Sequence, residues 1–263
     1  MKIALVQSEI TWGKPDEGLK RYERKFAVAL GCDIIILPEM FAAGSVMVKK
    51  EGSETGYLIR KTALYYDKIK EKMLAWAKKQ QALVMGSTVY EEDGKFYNRL
   101  IAAFPDGRCA YYNKRHCFSM AGENDYFSAG SQQLTLDYNG IKIAVFICYD
   151  LRFPVWSRNT QHYDLAVYVA NWPKPRREAW KALLKARAIE NQCFVAGVNC
   201  VGTDNNGLIY SGDSMLVDAK GDTITACREE KEEIATAEID IATLCDFRQK
   251  FPVLEDRDRF EIL

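Results

Sequence analysis

Three residues of this chain could do chemistry together: Cys148, Glu39 and Lys114. Each stands where a short apolar run ends. Cys148 follows Ile143-Ala144-Val145-Phe146-Ile147, Glu39 follows Asp33-Ile34-Ile35-Ile36-Leu37-Pro38, and Lys114 follows Cys109-Ala110-Tyr111-Tyr112-Asn113. The runs before Cys148 and Glu39 read as strands buried on both faces, and in open α/β sheets sites form at the carboxyl ends of strands. A thiol, a carboxylate and an ammonium gathered there can transfer an acyl group. The carboxylate takes the thiol proton, the thiolate attacks a carbonyl, and the ammonium neutralises the oxyanion. A free cysteine with pKa ~8.5 is only about 3% thiolate at pH 7. A carboxylate alone lowers that fraction by repulsion, and a neighbouring ammonium offsets it. Moving a thiol pKa by two units takes about 2.7 kcal/mol, within reach of one partly buried ion pair. A helix-like segment, with Pro154 in its first turn and Trp156 just after, follows Cys148-Tyr149-Asp150, so helix N–H groups near the sulfur would favour thiolate.

Each residue also has an ordinary reading. Cys148 fits a buried core cysteine, Glu39 a cap for the next segment, and Lys114 a solvated charge at a strand end. Asp150 and Arg152 read as a structural ion pair beside the elbow. His116 and His162 read as surface or hydrogen-bonded histidines. Only two residues from Lys114, His116 is the alternative base for Cys148 in a papain-like arrangement.

The elements that must position these groups alternate strand and helix. Residues 2–7 read as a strand. A helix follows Pro15, with Leu19, Tyr22, Phe26 and Leu30 at helical spacing and Gly31 closing it. Strand 33–37 leads into a second helix near 62–79, and strands 81–90, 96–104 and 108–113 are joined by Glu92-Asp93-Gly94 and Pro105-Asp106-Gly107 turns. Beyond the Cys148 strand come a buried strand at 164–169, a helix at 176–192 with Trp180, Leu183, Leu184 and Ala188 inward, and a strand at 193–199. A hairpin at 209–227 and a last strand at 234–239 follow. This order defines an α/β layered fold. The tail from Leu244, with Phe247, Phe251, Val253 and Leu254, does not read as core and points to a partner subunit.

Composition narrows the function. The 263 residues are 48% hydrophobic, which suits one large domain. Lys+Arg and Asp+Glu are both 36, so no basic surplus draws the chain to nucleic acid or an anionic membrane. No apolar run reaches membrane-spanning length and the first residues do not make a signal peptide, so a cytoplasmic location is expected. Eight cysteines without a C-x-x-C pair and only two histidines argue against structural zinc or a dithiol redox motif.

The segments Leu37-Pro38-Glu39-Met40-Phe41, Asn113-Lys114-Arg115-His116 and Cys148-Tyr149-Asp150-Leu151-Arg152-Phe153-Pro154 resemble, in order, the three signatures of the carbon–nitrogen hydrolase (nitrilase) superfamily. The similarity runs through essentially the whole chain. It implies a single domain over residues 1–263, built as a four-layer αββα sandwich that dimerises through its helices into an αββααββα assembly. The resemblance implies Glu39 as general base, Lys114 as stabiliser of the tetrahedral intermediate and Cys148 as nucleophile. It further implies that Glu123 positions substrate and lysine, with Asp125 the neighbour it could be confused with. No metal or cofactor is implied. Cys148–Asn159, Tyr168–Arg176 and Lys185–Gln192 look most like the ω-amidase branch, which releases ammonia from the terminal amide of small 2-oxo acids such as 2-oxoglutaramate and 2-oxosuccinamate. Other amides of the family, aliphatic or N-carbamoyl, and a catalytically silent scaffold are the alternatives. A carboxylate on the substrate would call for a cation away from Lys114, and Arg176 and Arg177 stand just past a strand end. Trp172 and Phe41 are expected to wall the pocket, and the N–H of Tyr149 to join Lys114 at the oxyanion.

Overall fold

The computed structural model describes residues 1–28, 30–44 and 54–262. The first half contains β1 (Lys2–Gln7), α1 (Pro15–Lys25), β2 (Ile34–Ile36), α2 (Glu54–Ala63), α3 (Tyr66–Gln80), β3 (Leu83–Glu92), β4 (Lys95–Ala103) and β5 (Cys109–Asn113). The second contains β6 (Thr135–Tyr138), β7 (Ile141–Ile147), β8 (Leu165–Ala170), α4 (Arg177–Asn191), β9 (Phe194–Asn199), β10 (Val201–Thr203), β11 (Ile209–Ser211), β12 (Met215–Val217), β13 (Thr223–Ala226), β14 (Glu233–Glu238) and α5 (Ile241–Lys250).

Two six-stranded sheets form, in the orders β14-β1-β2-β3-β4-β5 and β13-β12-β9-β8-β7-β6. Their centres are parallel (β1, β2 and β3; β7, β8 and β9) and their flanks antiparallel. The last strand returns to the first sheet, pairing Lys2 with Glu238 and Gln7 with Glu233. Alternation along the strands sorts the layers. Ile3, Leu5, Ile34, Ile36, Leu83 and Met85 pack inward against Ile143, Val145, Leu165 and Val167 of the other sheet. Ala4, Val6, Ile35, Leu37 and Val84 point outward to Leu19, Tyr22, Phe26, Ile69, Met73 and Trp76 of the α1 and α3 region. On the far side α4 buries Trp180, Leu184 and Ala188. The result is the expected αββα sandwich.

Local differences have physical reasons. α1 starts at Pro15, with Asp16 and Glu17 in its first turn and Arg24 and Lys25 in its last, matching the helix dipole. It ends at Lys25, before Phe26, which is still buried and stacks on Trp76 at 4.8 Å between centroids. The expected helix at 62–79 is two helices broken at Leu64-Tyr65, where Leu64 stands 84% exposed. A Cβ on Gly18 would lie 1.9 Å from the Ala42 carbonyl oxygen, so glycine lets α1 press against the segment that follows Glu39.

The tail departs most from expectation. α5 docks on its own chain: Leu244 and Leu254 are buried, and Arg248 donates to the Gln192 and Tyr163 carbonyls at 2.8 and 2.7 Å and to Asp164 at 2.8 Å. Phe251, Phe260 and Ile262 remain exposed. Apolar residues at 244 and 254 therefore close the core instead of leaving it.

Candidate active site

Three strand ends converge as their sequences suggest. Glu39 follows β2, Lys114 follows β5 and Cys148 follows β7, so the first two come from one sheet and the third from the other. The Lys114 ammonium lies 3.0 Å from Glu39 Oε1 and 2.9 Å from both oxygens of Glu123. All three residues are at least 95% buried. Each carboxylate oxygen has a donor. Asn98 Nδ2 donates to Glu39 Oε1 at 2.7 Å, the Asn171 main-chain N–H to Oε2 at 2.7 Å, and the Phe118 N–H to Glu123 Oε2 at 2.6 Å.

The cluster carries two carboxylates against one ammonium, one net negative charge. This bears on Cys148. Burial pushes its thiol well above the ordinary cysteine range, the nearby Glu39 charge adds to that, and Lys114 only partly opposes it. Burial pulls the Lys114 ammonium down, but Glu123 and Glu39 raise it well above its ordinary value. The expectation of a ready-made thiolate therefore gives way to a neutral thiol, whose Sγ lies 4.0 Å from the Asn171 carbonyl oxygen and within the field of Glu39. A thiolate beside an unneutralised carboxylate would put two negative charges in excess into a buried site.

The backbone at both sheet ends is unusual. Cys148 has φ 45° and Met40, just after Glu39, has φ 45°. Non-glycine residues in the left-handed region cost of order 1–3 kcal/mol and persist only where the surroundings impose them. Asp150 supplies much of that hold. Its Oδ2 accepts from the Ile147 N–H at 3.0 Å and the Tyr112 hydroxyl at 2.7 Å; its Oδ1 accepts from the His116 N–H at 3.0 Å and pairs with His116 Nδ1 at 2.7 Å. The 148–152 segment is a short 3₁₀ turn. Asp150 is thus paired with Tyr112 and His116 instead of Arg152. The His116 ring stacks on Phe153 at 3.7 Å and spends Nδ1 on Asp150, which makes it part of this brace and not the base for Cys148.

A cavity of about 210 Å³ opens over Cys148. Tyr149, Trp172 and Arg176 line it, as do Phe118, Asn171 and Tyr210. Two expected lining residues lie elsewhere. Phe41 is core, edge-on to Tyr22 at 5.0 Å and near Trp76 at 6.2 Å, because it points to the helical side of the first sheet. Arg177 grips Asp213 at 2.6 and 3.1 Å and Glu229 at 2.6 Å, so its charge is spent. Arg152, read from sequence as an ion-pair partner, lines the pocket instead, 4.9 Å from the Trp172 ring centroid. The guanidinium of Arg176 lies 5.2 Å from the Phe118 ring centroid. Among the described residues neither arginine has a carboxylate partner. Asn98, Asn171 and the β10–β11 hairpin also escaped the sequence reading. Asn171 at a strand end before Trp172-Pro173 carried a positional signal; Asn98 inside a strand carried none.

The fold and this cluster define a carbon–nitrogen hydrolase: the chain belongs to that family, whose profile matches residues 2–249. It is a hydrolase of carbon–nitrogen bonds other than peptide bonds. It is similar to omega-amidase YafV of Escherichia coli strain K12, 40% identical over 262 residues that cover 100% of this chain and 98% of that protein. Similarity to 2-oxoglutaramate amidase of Bacillus subtilis strain 168 is 33% over 97% of this chain and 96% of that one. The crystal structure of XC1258 from Xanthomonas campestris, a CN-hydrolase superfamily protein with an arsenic adduct in the active site, superposes with a TM-score of 0.92 at 36% identity, covering 100% of this chain and 99% of the other.

Proposed function

We propose that the protein is an ω-amidase that hydrolyses the terminal amide of a small 2-oxo acid, 2-oxoglutaramate foremost, through a thioester on Cys148. The observation that carries this reading is Cys148, set beside the buried Glu39–Lys114–Glu123 cluster and lining a pocket whose wall also holds two arginines without carboxylate partners. Relatives named omega-amidase and 2-oxoglutaramate amidase support it. An arsenic adduct in the active site of the Xanthomonas campestris protein fits a soft, thiol nucleophile.

The charge count shapes the mechanism. Passing the thiol proton to Glu39 moves the cluster's negative charge onto sulfur without adding another, so attack and proton transfer go together. Cys148 Sγ bonds to the amide carbon, and the oxyanion takes hydrogen bonds from Lys114 and the Tyr149 N–H. The C–N bond breaks as Glu39 returns the proton to nitrogen, and ammonia leaves. Water then gives a proton to Glu39 as its oxygen attacks the thioester, the C–S bond breaks, and the proton returns to sulfur. Glu123 positions Lys114. Arg176, with Arg152 in place of Arg177, receives the substrate carboxylate, while Trp172 walls the apolar part. Amide and water are the only reactants; no metal or cofactor enters the scheme.

Ammonia release across 2-oxoglutaramate, 2-oxosuccinamate, glutamine, asparagine, an N-carbamoyl amino acid and an aliphatic amide tests the substrate. The two oxo-acid amides should lead by ~10²-fold, since an uncharged substrate leaves the guanidinium unpaired. Preference for the aliphatic amide refutes the assignment. An acyl adduct on Cys148 by intact mass, absent in Cys148→Ala, tests the chemistry separately. Residues 1–263 act as one domain in this reading. The exposed Val155, Ile189 and Phe251 side chains suit a second copy of the chain, and a monomer by light scattering would refute that. Among the described residues no helix is long and apolar enough to cross a membrane. All eight cysteines are free thiols, which suits the reducing cytoplasm.

A further inference from the structure

Asn98 stands in β4 at the centre of the cluster and is 1% exposed. Its main-chain carbonyl accepts from the Lys114 N–H at 2.9 Å, and its side-chain amide donates to Glu39 Oε1, the oxygen that Lys114 Nζ also reaches. The amide can face only one way, because a carboxylate oxygen accepts and never donates, so Nδ2 must point to Glu39. That leaves Asn98 Oδ1 buried with no partner among the described residues. A buried polar atom left alone is costly and calls for an explanation. A leucine would fill a buried strand position without that orphan. The amide is therefore held in place for what its nitrogen does.

We infer that Asn98 is a positioning residue for the acid–base carboxylate, holding Glu39 in its aim and in its charged form. The inference rests on Glu39 being the base, as proposed above. Oε2 is held by the Asn171 main-chain N–H, which a substitution at Asn98 leaves in place. Oε1 is held by Lys114 and Asn98. When Lys114 turns to the oxyanion, Asn98 is the donor that stays. Glu39 is also faced by Glu123 across Lys114, by the Cys148 and Cys200 thiols, and by Tyr22 and Glu9 in the narrow cleft behind it.

Two readouts test this in the wild type, Asn98→Leu, Asn98→Ala and Glu39→Gln. One is kcat/KM for 2-oxoglutaramate against pH; the other, independent of substrate, is the rate of Cys148 alkylation by iodoacetamide against pH, read by peptide mass spectrometry. Loss of a donor to the carboxylate destabilises the anion, so the acid limb of both profiles should move up by about one pH unit in Asn98→Leu and Asn98→Ala. At pH 7 kcat/KM should fall roughly 10-fold or more. Glu39→Gln should erase the limb that Glu39 sets, leaving only a rise at higher pH as the Cys148 thiol itself ionises. An acid limb that stays in place in both Asn98 variants, whatever the rate, overturns the inference. Failure of both to fold overturns it too, because a positioning role leaves the fold intact. Retention of the acid limb at its wild-type pH in Glu39→Gln is a different failure and refutes Glu39 as the base.

Discussion

Lys114→Met removes the one cation that holds two buried carboxylates apart while keeping the length of the side chain. Glu39 and Glu123 approach the ammonium at 3.0 and 2.9 Å, and the side chains are 4–7% exposed, so water cannot take its place. Breaking a buried pair by removing one partner costs ~3–5 kcal/mol, mostly the penalty of the charge left behind. For a chain of this size each kcal/mol lowers Tm by roughly 2–4 °C, which gives a loss of roughly 6–20 °C. The pH dependence identifies the cause. In the wild type the raised Lys114 contributes stability that is full below its ordinary 10.5, hence constant between pH 5 and 8. In the variant the crowded carboxyls have folded pKa values above the unfolded value of about 4.3, so the stability of their protonated forms is full below that value and lost as pH rises through the raised one. The deficit should therefore be largest at pH 8 and shrink towards pH 5. Adding Glu123→Gln should recover part of it at pH 8. Differential scanning calorimetry at pH 5, 6.5 and 8 measures all of this. A deficit below ~1 kcal/mol at pH 8, or one equal at all three pH values, refutes the charge reasoning.

Other outcomes follow from the same geometry. Arg176→Ala should raise KM for 2-oxoglutaramate about 10-fold or more with little change for an uncharged amide, whereas Arg177→Ala should lower Tm and leave KM alone; steady-state kinetics and melting of both variants decide. His116→Ala takes a bond from Asp150 without touching the nucleophile, so ammonia release should fall far less than the ~10²–10⁴-fold expected of Glu39→Gln; the reverse ranking would make His116 the base. Leu244→Ala should cost ~2–5 kcal/mol in urea unfolding, because α5 belongs to the core of its own chain.

The sandwich was legible because its central strands are apolar runs with few alternatives, and the three reactive groups were legible because each ends such a run. What sequence could not give was direction. Phe41 sits one residue after Met40 turns through φ 45°, which sends its ring to the helical side, and nothing local announces that turn. Arg176 and Arg177 are neighbours with opposite fates, decided by Asp213 and Glu229 far along the chain. Asp150 is two residues from Arg152 but bonds to Tyr112 and His116, 38 and 34 residues away. Even the charge state of Cys148 depended on distant partners: two carboxylates around one lysine leave a neutral thiol.

The two halves of the site belong to different sheets, with Glu39 and Lys114 on one and Cys148 and Asn171 on the other. Synthesis from the N-terminus therefore delivers the base and the ammonium well before the nucleophile. When Cys148 emerges it is one thiol among four, and by the end of the chain one among eight, until the sheets meet. The first sheet in turn is completed only when β14, near the end of the chain, pairs with β1 at its start. A ribosome-bound or half-folded chain thus has no assembled means of forming an acyl bond, and recovery of amidase activity marks a later folding event than recovery of helix and strand.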